Sequence, residues 1–229
     1  MSGPPFHVSH ILFDVDGTLV DFYSVLTAAL QVTAEFTSEV TGTLVTSAQL
    51  RSARELVYAE PDWRRRTLRE VRDESLRRVL AAAGQSESSV WFRVSEAYYE
   101  TRDGTMLPHA ETDEVLVELK RRMFTLIAGT NGNAPFGRYQ FTALFEVIHQ
   151  ADQVGASKPD AGFYHGALER AGARSESTVS VGDSVVNDVD GAVALGMSGI
   201  FLDRANAAPD IDVPRITTLR ELPDLVELA

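Results

Sequence analysis

The stretch HILFDVDGTLVD, residues 10–21, decides the fold. An apolar run, Ile11 to Phe13, stops abruptly at Asp14, and Asp16 and Gly17 follow. A short apolar run bounded by turn residues predicts a buried strand. Two carboxylates released from its end repel one another and resist burial. An Asp-Gly pair after a strand is a common turn, but here it leads into a helical pattern and not into a returning strand. The other reading places a cation between the carboxylates, and the rest of the chain bears on the choice.

Residues 22–101 carry helical periodicity throughout. Phe22, Val25, Leu26, Ala29, Leu30, Thr33, Phe36 and Val40 recur at helical spacing, with Gly42 placed to end that helix. SAQLRSARELVYAE predicts a second helix stopped by Pro61, WRRRTLREVRDESLRRVLAAAG a third beginning at Trp63, and SVWFRVSEAYYETR a fourth. From about residue 105 the pattern alternates. ETDEVLVELKRR, DAGFYHGALERAG and VVNDVDGAVALG read as helices; FTLIAGTN, LFEVIHQA, TVSVGD and SGIFLD read as strands; TLRELPDLVELA reads as a closing helix. Such alternation predicts a Rossmann-like parallel sheet with helices on both faces, that is, an α/β core. The first strand is separated from its partners by the helical block, so the block is an inserted all-helical domain of four helices. The expected division is residues 1–20 and 105–229 for the core and 21–104 for the insertion, crossing back through TRDGTMLPH.

Parallel sheets bind ligands at the C-terminal ends of their strands. Four polar groups fall at such ends: Asp14 with Asp16, Thr130 with Asn131, Lys158 in VGASKPD, and Asp183 with Asp188 in VSVGDSVVND. Each alone has an ordinary structural explanation as a turn, a loop, a helix entry or an N-cap. Those explanations do not account for all four occurring in this order on four strand ends.

These residues, DVDGTLVD, Thr130, Lys158 in KPD, and GDSVVND, resemble the motifs of the haloacid dehalogenase-like hydrolase superfamily, and the likeness spans residues 10–202. The insertion is similar to the helical cap of its phosphatase branch. The resemblance implies a Mg²⁺-dependent phosphatase acting on a small phosphorylated metabolite through an aspartyl-phosphate. Asp14 is then the nucleophile and Asp16 the general acid and base. Thr130 and Lys158 bind the phosphoryl group, helped by the backbone at Val15 and by Asn131, with Tyr23 as a substrate contact. Asp14, Asp16 (through its carbonyl), Asp183 and Asp188 hold the metal. The residue types suit that chemistry: Mg²⁺ prefers hard oxygen ligands, and a phosphate dianion repels an attacking anion unless its charge is neutralised. Relatives that break carbon–halogen bonds lack the acid two positions after the nucleophile, so Asp16 favours phosphoryl transfer. The same motifs would serve a phosphomutase, and a non-enzymatic regulatory phosphoacceptor is a third reading. Two departures from the family pattern are Phe22 after Asp21, where many relatives carry a small polar residue, and the less apolar IAG before Thr130.

The bulk numbers narrow the partners. Thirty-three acids against 21 bases give a net charge of −12 over 229 residues, which disfavours nucleic acid and anionic membranes. With no cysteine there are no disulfides and no thiolate metal sites. MSGPPFHVSH lacks the features of a secretory signal and no run is long enough to span a bilayer, so a cytoplasmic protein is expected. The run Arg64, Arg65, Arg66, Arg69, Arg72, Arg77 and Arg78 is interleaved with acids and reads as a solvated helix face. Oligomeric state is not legible.

Overall fold

Strand β2 (His10–Phe13) lies at the middle of a six-stranded sheet in the computed structural model, which describes residues 5–63, 66–133, 135–208 and 211–229. Its sheet partners are β3 (Thr125–Thr130), β4 (Val147–Gln150), β5 (Thr178–Gly182), β6 (Ser198–Leu202) and β7 (Arg215–Ile216). The order is β4-β3-β2-β5-β6-β7 and every pairing is parallel. Ile11, Leu12 and Phe13 are fully buried, as are Leu126, Ile127 and Ala128 on β3 and Val179 and Val181 on β5. Near-continuous apolar strands are what a sheet covered on both faces requires. Chain order reverses at β2, which has β3 on one side and β5 on the other, so the crevice of this α/β sheet opens at the end of β2.

The helices of this core are α5 (Thr112–Arg121), α6 (Ala151–Val154), α7 (Ala161–Ala171) and α8 (Gly191–Val193). Two sequence expectations are corrected by the structure. The helix expected over 185–196 is instead a wide π-type turn, Val185–Asp190, running into the short α8. The closing helix is a 3₁₀ segment, Leu219–Asp224, followed by strand β8 (Val226–Leu228). Pro223 lacks an N–H and cannot propagate an α-helix, and the chain beyond it pairs in parallel with β1 (Phe6–Val8) in a separate two-stranded ribbon. Strands β1, β7 and β8 are too short to stand out in the sequence pattern.

The chain divides into two compact units, one comprising the residues up to Asp21 with Pro108–Ala229, the other Phe22–Leu107. The second unit is all-helical among the described residues: α1 (Phe22–Thr41), α2 (Ser47–Ala59), α3 (Leu68–Ala82) and α4 (Ser88–Thr105). It has its own core of Ala29, Leu30, Ala34, Val45, Leu50, Leu76, Leu80, Val94, Tyr98 and Tyr99. Helix α3 begins at Leu68 and not at Trp63, because Thr67 and Glu70 form a capping box, as Thr46 and Gln49 do for α2. Helix α4 runs through Gly104, so the return crossing lies nearer Pro108 than TRDG suggests.

The arginine run is only partly a solvated face. Arg64, Arg65 and the first four residues of the N-terminal stretch lie outside the described residues. Arg72 is buried, donates to the Leu50 carbonyl at 3.3 Å and lies over the Tyr98 ring. Arg69 and Arg77 cover Tyr99 and Trp91, guanidinium on ring. Among the described residues no helix is long and apolar enough to cross a membrane.

Candidate active site

Asp14 extends β2 by one residue, its N–H donating to the Val181 carbonyl at 2.9 Å. That bond aims its carboxylate out of the sheet at the switch point. Asp14 Oδ1 accepts from Lys158 Nζ at 2.7 Å, and the same ammonium donates to Asp188 Oδ1 at 2.7 Å. All three side chains are buried. Burial works to lower the Lys158 pKa, but the two carboxylates outweigh it and hold the ammonium above the usual lysine range. Burial pushes the Asp188 carboxyl above the ordinary carboxylate range, with Lys158 opposing.

Asp188 comes from the π-type turn after β5. Its Oδ2 reaches back to accept from the Ser184 N–H at 3.0 Å. Its carboxylate lies so close to Gly182 that a Cβ there would fall on the Asp188 side chain. A glycine ending β5 is therefore a steric requirement of the site. Asp14, Asp183 and Asp188 each bring one carboxylate oxygen within 4.8 Å of the others. Asp14 Oδ2 is buried and has no hydrogen-bond partner among the described residues, a costly state for a carboxylate oxygen unless a cation meets it. Three converging carboxylates, one of which carries an orphaned oxygen, fit a divalent cation such as Mg²⁺.

On the other side of β2, Thr130 ends β3. Its hydroxyl donates to Asp16 Oδ2 at 3.0 Å and accepts from the Gly132 N–H at 2.8 Å. The Asp16 carboxylate occupies the space that a Cβ on Gly132 would take. Asn131 forms a two-point clasp on the Lys158 backbone: its Nδ2 donates to the Lys158 carbonyl at 2.8 Å, and its Oδ1 accepts from the Lys158 N–H at 2.7 Å. In this structure Asn131 therefore fixes the loop that presents the lysine. Val15 is fully buried, and its carbonyl accepts the N–H groups of Thr18, Leu19 and Val20, folding the loop after Asp16. Tyr23 belongs to the helical unit, where it is 61% exposed on the first turn of α1 with its ring against Phe22.

The structure thus brings Asp14, Lys158, Asp183 and Asp188 into one cluster and joins Asp16 to Thr130. Sequence reasoning missed the steric roles of Gly132 and Gly182, and missed Arg204 and Glu111, which brace the Asp16 loop. An arginine after the β6 strand carries no motif, and its role depends on contacts to residues far away in the chain.

Residues 8–196 match the model of the haloacid dehalogenase-like hydrolase family, and the chain belongs to that family. It is 26% identical over 236 residues, 94% of this chain and 96% of the relative, to 5-amino-6-(5-phospho-D-ribitylamino)uracil phosphatase YigB of Escherichia coli (strain K12). Its identity to a phosphoserine phosphatase of Thermus thermophilus is 30% over 163 residues, 66% of this chain and 63% of the relative. Among solved structures, a 2-haloacid dehalogenase from Pseudomonas syringae pv. tomato DC3000 superposes with a TM-score of 0.80 at 26% identity, covering 95% of this chain and 97% of that one.

Proposed function

We propose that the chain is a Mg²⁺-dependent phosphatase that hydrolyses a small phosphorylated metabolite through an aspartyl-phosphate on Asp14. The observation that carries this reading is the state of Asp14. One oxygen is held by Lys158, the other is buried without a hydrogen-bond partner among the described residues, and Asp183 and Asp188 converge on the same carboxylate. Asp14, Asp183 and Asp188, with the Asp16 carbonyl, would hold the cation, which when bound supplies charge neutralisation for the phosphoryl oxygens.

The chain's own groups then act in two steps. An Asp14 carboxylate oxygen forms a bond to phosphorus as the ester P–O bond breaks, and Asp16 gives its proton to the departing oxygen. Asp16, now a carboxylate, takes a proton from water as that water attacks phosphorus, which releases inorganic phosphate and restores the Asp14 carboxylate. The Lys158 ammonium and the Thr130 hydroxyl, with the Val15 and Asn131 backbone, bind phosphoryl oxygens where charge spreads in the transition state. The Thr130 bond to Asp16 sets the acid beside that group.

The Pseudomonas structure named a dehalogenase raises halide displacement as the competing chemistry. A halide departs without a proton, so an acid at position 16 would have no task there. An alkoxide leaving group needs one, and Asp16 is present and oriented by Thr130. The relatives named as phosphatases support the same side. The helical unit, Phe22–Leu107, is assigned the role of a cap that selects the leaving group, with the exposed Tyr23 as a candidate contact.

The test is phosphate release from a panel of phosphorylated metabolites, with and without Mg²⁺, for wild type and Asp14→Asn. Mg²⁺-dependent release that disappears in Asp14→Asn supports the proposal. No release from any ester by the wild type, or release undiminished in Asp14→Asn, overturns it.

A further inference from the structure

The loop after Asp16 presents three consecutive carbonyls, and each is bound from outside the loop. The Leu19 carbonyl accepts from the Thr112 hydroxyl at 2.7 Å and from the His109 N–H at 3.0 Å. The Thr18 carbonyl accepts from Arg204 Nη2 at 2.7 Å, and the Gly17 carbonyl from Arg204 Nε at 3.3 Å. The third arm of the same guanidinium, Nη1, bonds Glu111 Oε1 at 2.5 Å. Glu111 is buried, just ahead of α5. Arg204 is itself held by a fixed turn: the carboxylate of the preceding Asp203 accepts from the N–H groups of Ala207 and Ala208 and from Arg215. A planar fork with five fixed donors can hold two carbonyls and a carboxylate at once, which a lysine ammonium cannot reproduce.

We propose that Arg204, anchored by Glu111, is a positioning residue for Asp16, fixing the loop that carries this acid against Thr130 and so setting the efficiency with which poor leaving groups are protonated. Arg204 binds Gly17 and Thr18, the two residues that follow Asp16, and acts through the backbone. The Gly17 N–H donates to the Val20 carbonyl and the Val20 N–H to the Val15 carbonyl, so the loop moves as a unit if its clamp is lost. This inference rests on the phosphatase reading for its catalytic half, whereas the clamp itself does not.

The experiment compares wild type, Arg204→Lys and Arg204→Met on an alkyl phosphate and on p-nitrophenyl phosphate, whose leaving group departs without needing a proton. Amide hydrogen exchange is followed at Thr18, Leu19 and Val20. Arg204→Lys keeps the charge and the aliphatic stem, so it serves if Arg204→Met does not fold. The expected result is a fall of about 100-fold in the first-turnover rate of alcohol release from the alkyl ester, the size expected of an ångström-scale misplacement. With Mg²⁺ saturating, the first-turnover rate of nitrophenol release should change by less than about threefold, because water attack on the aspartyl-phosphate, in which Asp16 is the base for both esters, comes after that step. Exchange should accelerate at residues 18–20 while amides of β5 keep wild-type rates. Equal losses of the first-turnover rate on both esters overturn the positioning role, and unchanged exchange at residues 18–20 overturns the clamp. If the wild type cleaves neither ester, the phosphatase reading fails, and exchange at residues 18–20 still decides whether Arg204 holds the loop.

Discussion

Replacing Lys158 by methionine tests the charge balance on which the site depends. The substitution keeps most of the aliphatic volume and removes the ammonium that lies 2.7 Å from both Asp14 Oδ1 and Asp188 Oδ1. Two buried carboxylates then face one another with oxygens within 4.8 Å, and at an effective dielectric of about 20 that repulsion is about 3.5 kcal/mol. Breaking a buried ion pair from one side costs about 3–5 kcal/mol in measured cases, which agrees. For a chain of this length the corresponding drop in Tm is about 6–20 °C. The assay is thermal unfolding with a chelator present, followed by titration with Mg²⁺. Added Mg²⁺ should raise the Tm of Lys158→Met more than that of wild type, because the cation replaces the lost charge. The loss should also be smaller near about pH 5 than at about pH 8, since a buried carboxyl raised above its usual range takes up a proton to relieve the repulsion. Adding Asp188→Asn to Lys158→Met should restore part of the stability, a coupling of more than about 1 kcal/mol. A Lys158→Met protein as stable as wild type in chelator, and indifferent to Mg²⁺, would refute the account of the cluster.

Two further outcomes follow from the geometry. Gly182→Ala places a methyl on the Asp188 carboxylate and should cost about 1–3 kcal/mol; it should also weaken the Mg²⁺-induced rise in Tm, and a normal Mg²⁺ response would contradict the steric argument. Burial works against the Glu111 charge, but the Arg204 hydrogen bond, a backbone hydrogen bond and the nearby positive charge of Arg204 together outweigh it and hold the carboxyl below its usual range. A carboxyl with a depressed folded-state pKa contributes stability above its unfolded value, and that contribution is lost as pH falls through the folded value. Urea unfolding of wild type and Glu111→Gln should therefore differ most at neutral pH and converge below about pH 4; a gap independent of pH would show that the charge is not what matters.

The sequence by itself determined the five core strands β2 to β6, the helical block and the order of the charged groups along the chain. Burial on both faces leaves apolar runs of short length, and amphipathic helices leave a 3.6-residue stripe, so both patterns survive in one dimension. Asp14, Asp183, Asp188, Lys158 and Thr130 were legible because each sits at or soon after the end of such a run. The ends of elements were less so: the π-type turn at Val185–Asp190 and the terminal strand β8 depend on partners that local propensity does not encode. Only the tertiary structure decided that one ammonium bridges Asp14 and Asp188, residues far apart in the chain. It alone gave Asn131 to the Lys158 backbone, made Gly132 and Gly182 steric necessities, and brought Arg204 to the carbonyls beside Asp16. Hydrogen bonds and close packing act over a few ångströms between chain segments far apart in sequence. A motif can announce which groups meet, but the distances that tune them exist only once the sheet has set the strands side by side.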